Sequence, residues 1–242
     1  MKKLYFNGKI SLGKLLFTIS LTLLLYGQGS GQTSADINNK TKTDSLEAIL
    51  LTAREDINKI KILNQLCYEY AGKNPGKALQ QGKEALILGK KLLSLKKAGK
   101  KVVIKKEIST SLTNIGHVYI YQGNFNKSIE NFKSSIKISE ELDDKTGIST
   151  CLNHLGEVHR MLGNYKKSID YHHQSLKIFD EFALMPDKAS KRYGERGKSA
   201  SFHNIGIIYE IQGNHEKAMD CYFRSLNIDE AMNNKPGIAA SM

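Results

Sequence analysis

The strongest constraint on this chain is that it repeats itself. Three stretches align on sight: Leu112 to Phe125, Leu152 to Tyr165 and Phe202 to His215. Each carries a glycine at the same place, Gly116, Gly156 and Gly206, and each ends in a Gly-Asn pair followed by a second amphipathic run. Self-similarity at a spacing of 40 and then 50 residues describes a stack of identical supersecondary units, each burying its apolar face against the next.

The residues specify what the unit is. Leu112, Ile115, Gly116 and Tyr119 recur at i, i+3, i+4 and i+7, one face of an α-helix. The glycine on that face allows a second helix to come close. The glycine of the Gly-Asn pair can take a positive φ and end the first helix, and the asparagine can start the next. Ser128, Ser168 and Ala218 are small residues expected at the closest crossing of the second helix, with Phe132, Tyr171 and Tyr222 filling the gap toward the neighbouring unit. A weaker copy precedes these three: Leu63, Leu66, Cys67, Tyr70 and Ala78 keep the spacing, with Cys67 in place of the glycine and Asn74-Pro75 in place of Gly-Asn. The longer step between Gly156 and Gly206 carries an insertion around Met185 to Gly197, which a loop or a lengthened helix can absorb.

At these positions the chain resembles the tetratricopeptide repeat family, over about residues 58–242. The departures are His159 in a tyrosine place, serine in two alanine places and no closing proline. The 40-residue step is similar to the long-helix subclass that includes the kinesin light chains. The resemblance implies an all-α solenoid of stacked antiparallel helix hairpins. It divides the chain into a degenerate unit with a basic insertion (58–108), units at 109–148, 149–198 (with the insertion) and 199–238, and the start of a further repeat at 239–242. The last follows because Asn234 to Met242 parallels Asp144 to Leu152, so more repeats or an output domain are expected beyond it.

Residues 1–31 read as an export signal. Lys2, Lys3, Lys9 and Lys14 precede an apolar run of 12 residues, Leu15 to Tyr26, too short to span a bilayer. Small residues at Gly29 and Gly31 suit a peptidase. Cleavage removes four lysines and no acid, taking the formal charge from +12 to +8. Residues 32–57 are expected to be a polar lead followed by a short helix starting at Asp44.

No phosphate-binding loop, HExxH or GxSxG motif is present, so no enzyme activity and no cofactor are expected. Cys67, Cys151 and Cys221 are too far apart in sequence for a CxxC pair, and the seven histidines fall on packing or surface places rather than forming a metal site. What remains is a binding surface. In the resembled family the first helices line a concave groove, which implies a protein or peptide ligand held there. The residues one turn off the buried face include Asn64, Gln65 and Tyr68, then Thr113, Asn114, His117 and Tyr121, then Asn153, His154, Glu157 and Arg160, then His203, Asn204, Ile207 and Glu210. Gln65, Asn114, His154 and Asn204 are expected to form one polar row able to hold a peptide backbone. Lys90 to Lys106 holds eight lysines and no acid. Without interleaved aromatics or arginine this does not point to nucleic acid, and a weak contact with anionic membrane surface is its functional option.

A repeat array behind a signal also resembles the extracytoplasmic input region of Bacteroidetes-type sensor proteins. A free-standing periplasmic adaptor, or a cytoplasmic regulator if the N-terminal segment is not a signal, are the alternatives. Mass spectrometry of the exported protein should find an N-terminus near Gln32; an intact Met1 in a soluble cytoplasmic fraction would refute export.

Overall fold

The computed structural model describes residues 34–95 and 100–237. The expected signal (1–31) and the further repeat at 239–242 lie outside them. The chain divides into two units, Met1–Asp44 and Ser45–Met242, and the fold described is that of the second. Among the described residues there are nine helices and no strand: α1 (Ser34–Thr52), α2 (Ile57–Tyr70), α3 (Pro75–Ser94), α4 (Lys101–Tyr121), α5 (Phe125–Glu141), α6 (Lys145–Met161), α7 (Tyr165–Ala183), α8 (Lys188–Ile211) and α9 (His215–Ala231). α1 differs from expectation. It begins at Ser34 and runs through Asp44, because nothing from Ser34 to Thr52 is Gly or Pro and the polar stretch has no residue that breaks a helix.

From α2 onward each helix packs on the next, and the pairs α2–α3, α4–α5, α6–α7 and α8–α9 are the repeating hairpins of an all-α solenoid. Their corners are built alike. Gly123, Gly163 and Gly213 sit at φ of +68°, +72° and +73°. Each donates its N–H back to Ile120, Arg160 and Glu210, while the following asparagine donates to Tyr119, His159 and Tyr209. This double closure ends the helix. Asn124 and Asn214 then turn their side-chain oxygens to Lys127 N and Lys217 N and cap the second helix. One residue thus stops one helix and starts the next, which fixes the hairpin angle. Between hairpins the same closure uses Asp143 (φ +52°) and Asn233 (φ +54°), short polar side chains that tolerate the left-handed region.

Inside each hairpin a ring sits on a glycine. A Cβ on Gly116 would lie 2.8 Å from the Phe132 ring, on Gly206 2.7 Å from Tyr222, and on Gly156 2.6 Å from His172. The middle case corrects the expected register: His172, not Tyr171, holds the ring place, and Tyr171 stacks on His159 at 5.3 Å. The ring lies four residues after the small crossing residue in all three units, and the aromatic Tyr171 masked this in the middle one. Beside the ring, Ser128 and Ser168 donate to the carbonyls of Gly116 and Gly156, at 2.8 and 2.5 Å. A turn further on, Ser135, Ser175 and Ser225 donate to the carbonyls of Ser109, Ser149 and Ser199 at 2.9, 3.2 and 3.0 Å. In the first hairpin the volumes are exchanged: Cys67 stands in the glycine place and Gly82 in the ring place, and a Cβ on Gly82 would lie 2.9 Å from the Cys67 sulfur. From Lys188 on, the insertion before Gly206 is helix. It makes α8 24 residues long where α6 has 17.

The three cysteines are buried and free. Burial pushes the Cys67 thiol up to about 12, so it is a packing residue and a poor nucleophile. His172 is fully buried, and its Nδ1 donates to Asn153 Oδ1 at 3.1 Å, since that oxygen can only accept. Its Nε2 lies against Gly156 with no hydrogen-bond partner. A proton there would be an unpaired buried charge, and burial accordingly pushes the ring down from 6.5 to about 4.

Two outcomes follow from this packing. Gly156→Leu should push the His172 ring off α6 and destabilise the array by about 1–3 kcal/mol; thermal melting unchanged from wild type would show that the helices do not meet there. For His172 the unfolded chain binds the proton more readily than the folded one. Its contribution to stability is therefore complete above pH 6.5 and is lost as pH falls to about 4. That share amounts to about 3 kcal/mol, and denaturant titrations of His172→Phe between pH 7 and 4 should show an acid loss smaller by about that much.

Candidate functional site

Helix contacts identify the inner wall. α2 packs on α4, α4 on α6 and α6 on α8, whereas α3, α5, α7 and α9 do not pack on one another. The first helices are therefore crowded and the second helices splayed, so the concave side belongs to α2, α4, α6 and α8.

The seams between these first helices are polar and regular. Ser111 donates to Asn64 Oδ1 at 2.7 Å, Thr113 Oγ1 meets Cys151 Sγ at 3.3 Å, and Ser201 donates to Asn153 Oδ1 at 3.1 Å. Each rung joins the residue three before one unit's packing site to the residue five before the next unit's. Asn64 is buried, and its amide also reaches the carbonyl of Glu107 at 3.1 Å.

This placement divides the expected groove residues. Asn153 belongs to a seam rung and, through His172, to the hairpin core. Asn114 is likewise engaged, donating its amide to the Asn64 carbonyl at 2.9 Å. Gln65 donates to Glu69 along its own helix at 2.6 Å. His203 tilts over Tyr222 at 5.5 Å, and its Nδ1 is buried without a hydrogen-bond partner. Asn204 lines a small cleft of about 270 Å³ with Arg196 and Ala200. Arg160 is half-buried. His117, His154 and Glu157 come together: the two rings are 5.2 Å apart, His154 also stacks on Phe132 at 5.1 Å, and its Nδ1 is 3.9 Å from the Glu157 carboxylate. Facing His154 holds Glu157 below the usual carboxylate range, while burial and then His154 hold His117 below the usual imidazole range. Among the described residues no three His, Cys, Asp or Glu side chains gather as a metal would require.

The larger opening on this wall is a cleft of about 830 Å³. Tyr68 of α2 forms one side, Asn153 and His154 of α6 the floor, and Arg192 and Arg196 of α8 the other side. Tyr68 is 60% exposed. Of the expected residues, Tyr68, Asn153 and His154 border it; the arginines were not expected, because they lie in the insertion, outside the aligned stretches. Their one signal was spacing, two arginines at i and i+4 flanking Tyr193-Gly194 and followed by Gly197.

Comparison with known proteins bears on the fold. Residues 107–181 and 199–232 each match a tetratricopeptide repeat model. No curated protein matches. Among solved structures, BtubC (BKLC) from P. vanneervenii is 18% identical, with a TM-score of 0.62, covering 92% of this chain and 82% of that one. MamA is 17% identical with a TM-score of 0.49, covering 83% of this chain and 97% of that one. A putative kinesin light chain from Podosopora anserina with nearly identical TPR-like repeats is 13% identical with a TM-score of 0.49, covering 91% and 95%. At these identities the likeness is one of fold. Tetratricopeptide arrays are in general non-enzymatic scaffolds for protein–protein interaction, and this chain carries tetratricopeptide repeats over residues 107–181 and 199–232.

Proposed function

We propose that the protein is a binding scaffold that holds an extended segment of a partner protein along the wall formed by α2, α4, α6 and α8. The observation that carries this is the open cleft of about 830 Å³ between Tyr68 and α8, bordered by side chains that offer both stacking and hydrogen bonds. The polar row contributes through His154 and Asn204 more than through Gln65 and Asn114, whose amides already have partners. The N-terminal charge and apolar pattern supports placement of the array outside the cytoplasm, as the input region of a signalling protein, with the free-standing adaptor as the second form of the same role. Attraction of the lysine-rich stretch to anionic lipid is the lesser contact. Lys91, Lys105 and Lys106 already face Glu55, Glu141 and Asp144, at 2.6, 2.7 and 3.4 Å, which among the described residues leaves Lys90, Lys100 and Lys101 to serve it.

Photocrosslinking in the producing cell tests the groove. Benzoylphenylalanine at Tyr68 or Asn204 should give a discrete adduct on illumination, and the same group at Lys133 or Lys177, exposed on the second helices, should not. Adducts from the outer positions alone would place the partner on the other face.

A further inference from the structure

We propose that Arg192 and Arg196 form a recognition site for acidic side chains, so that the partner segment held in the cleft is an acidic one. This rests on the groove reading and adds the partner's chemistry to it.

The case begins with how α8 is laid down. Gly194 passes against the backbone of α7 at Phe179 and Ala183, and Gly197 against the Phe179 ring, so close that a side chain at either would collide. Tyr193 between them is clamped. Its ring meets Phe179 and Phe182 edge-on at 5.5 and 5.0 Å, and its hydroxyl reaches Ser149 Oγ at 3.0 Å on α6. Residues 193, 194 and 197 thus pack on α6 and α7, with Gly194 buried and Tyr193 and Gly197 half-buried at the border of the cleft. On a helix of 3.6 residues per turn the adjoining edge carries 192 and 196, one above the other with Cβ atoms about 5–6 Å apart. Both arginines are exposed and border the cleft, with Ala189 and Ala200 as their small neighbours on the same edge.

Charge then selects the ligand. Several lysines face acids, among them Lys59 with Glu84, Lys105 with Glu141, Lys145 with Glu181, and Lys198, on the same inserted turns, with Asp180. Arg192 and Arg196 have no ion pair among the described residues, and the large cleft they border has no Asp or Glu in its lining. Two adjacent cations beside a cleft free of acids repel one another and are relieved by an anionic guest. Guanidinium groups at this spacing match carboxylates through paired N–H donors, a geometry that lysine does not supply. Tyr68 and His154 offer aromatic faces for whatever lies between the charges.

The test uses fluorescein-labelled decapeptides that alternate Glu with Ser, and the same peptides with Gln or Lys replacing Glu, read by fluorescence anisotropy on the full exported chain. The Glu peptide should bind at least tenfold more tightly than the Gln peptide. In R192Q/R196Q that preference should vanish with the melting temperature unchanged, and in R192E/R196E it should pass to the Lys peptide. A Glu preference that survives R192Q/R196Q, or wild type that does not distinguish Glu from Gln, overturns the proposal. The groove reading is judged separately: if Tyr68 crosslinks form in wild type while wild type shows no Glu preference, the groove stands and the acidic partner does not.

Discussion

The array depends on one contact, a ring seated on a helix glycine. At Gly116, Gly156 and Gly206 the missing side chain sets how close the two helices of a hairpin come, and the ring from the second helix sets their register. Everything larger is built from that distance. With the helices this close, the hydroxyls of Ser128 and Ser168 reach main-chain carbonyls across the pair, and the serines a turn away do the same. Close-packed interiors leave no slack, so the ring and glycine must trade volume together. The first hairpin shows the trade reversed, with Cys67 filling what Gly82 vacates.

Stacking between hairpins uses a different chemistry. The seams between first helices are held by hydroxyl, amide and thiol contacts at matching positions, Asn64 with Ser111, Thr113 with Cys151 and Asn153 with Ser201. A buried polar group left unpaired costs more than an apolar contact gains, so such rungs penalise any slip between neighbours. Asn153 links the two systems: its single oxygen accepts from the ring-place histidine of its own hairpin and from the serine of the next. Packing inside a unit and register between units are thereby coupled at one atom.

Much of this was legible in the sequence because repetition supplies its own check. A glycine, a Gly-Asn corner and a small crossing residue that recur together three times fix the hairpin even where each alone is weak. The errors came where that check failed. Tyr171 looks like the ring residue, since it is aromatic and one residue away, and only the i+4 spacing shared by Phe132 and Tyr222 selects His172. The groove row shows a different limit. Equal register does give Gln65, Asn114, His154 and Asn204 a common edge, but in a crowded wall that edge also faces the neighbouring helix. An amide with a carbonyl in reach binds it, as Asn114 binds Asn64. Sequence register fixes direction and not what stands there.

The arginines of α8 illustrate the converse. A perfectly repeated surface presents the same side chains at every step, and a sliding peptide meets an equivalent site at each. Discrimination needs something that occurs once, and an insertion is a natural place for it, since its residues lie outside the repeated pattern. Here it continues α8 instead of leaving the surface as a loop, and Tyr193 fastens it to α6 and α7. Its exposed edge is therefore already ordered before any ligand arrives. That lowers the entropy lost on binding, compared with the same two charges on a free loop. The feature that interrupts the repeat is in this way held as firmly as the repeat itself.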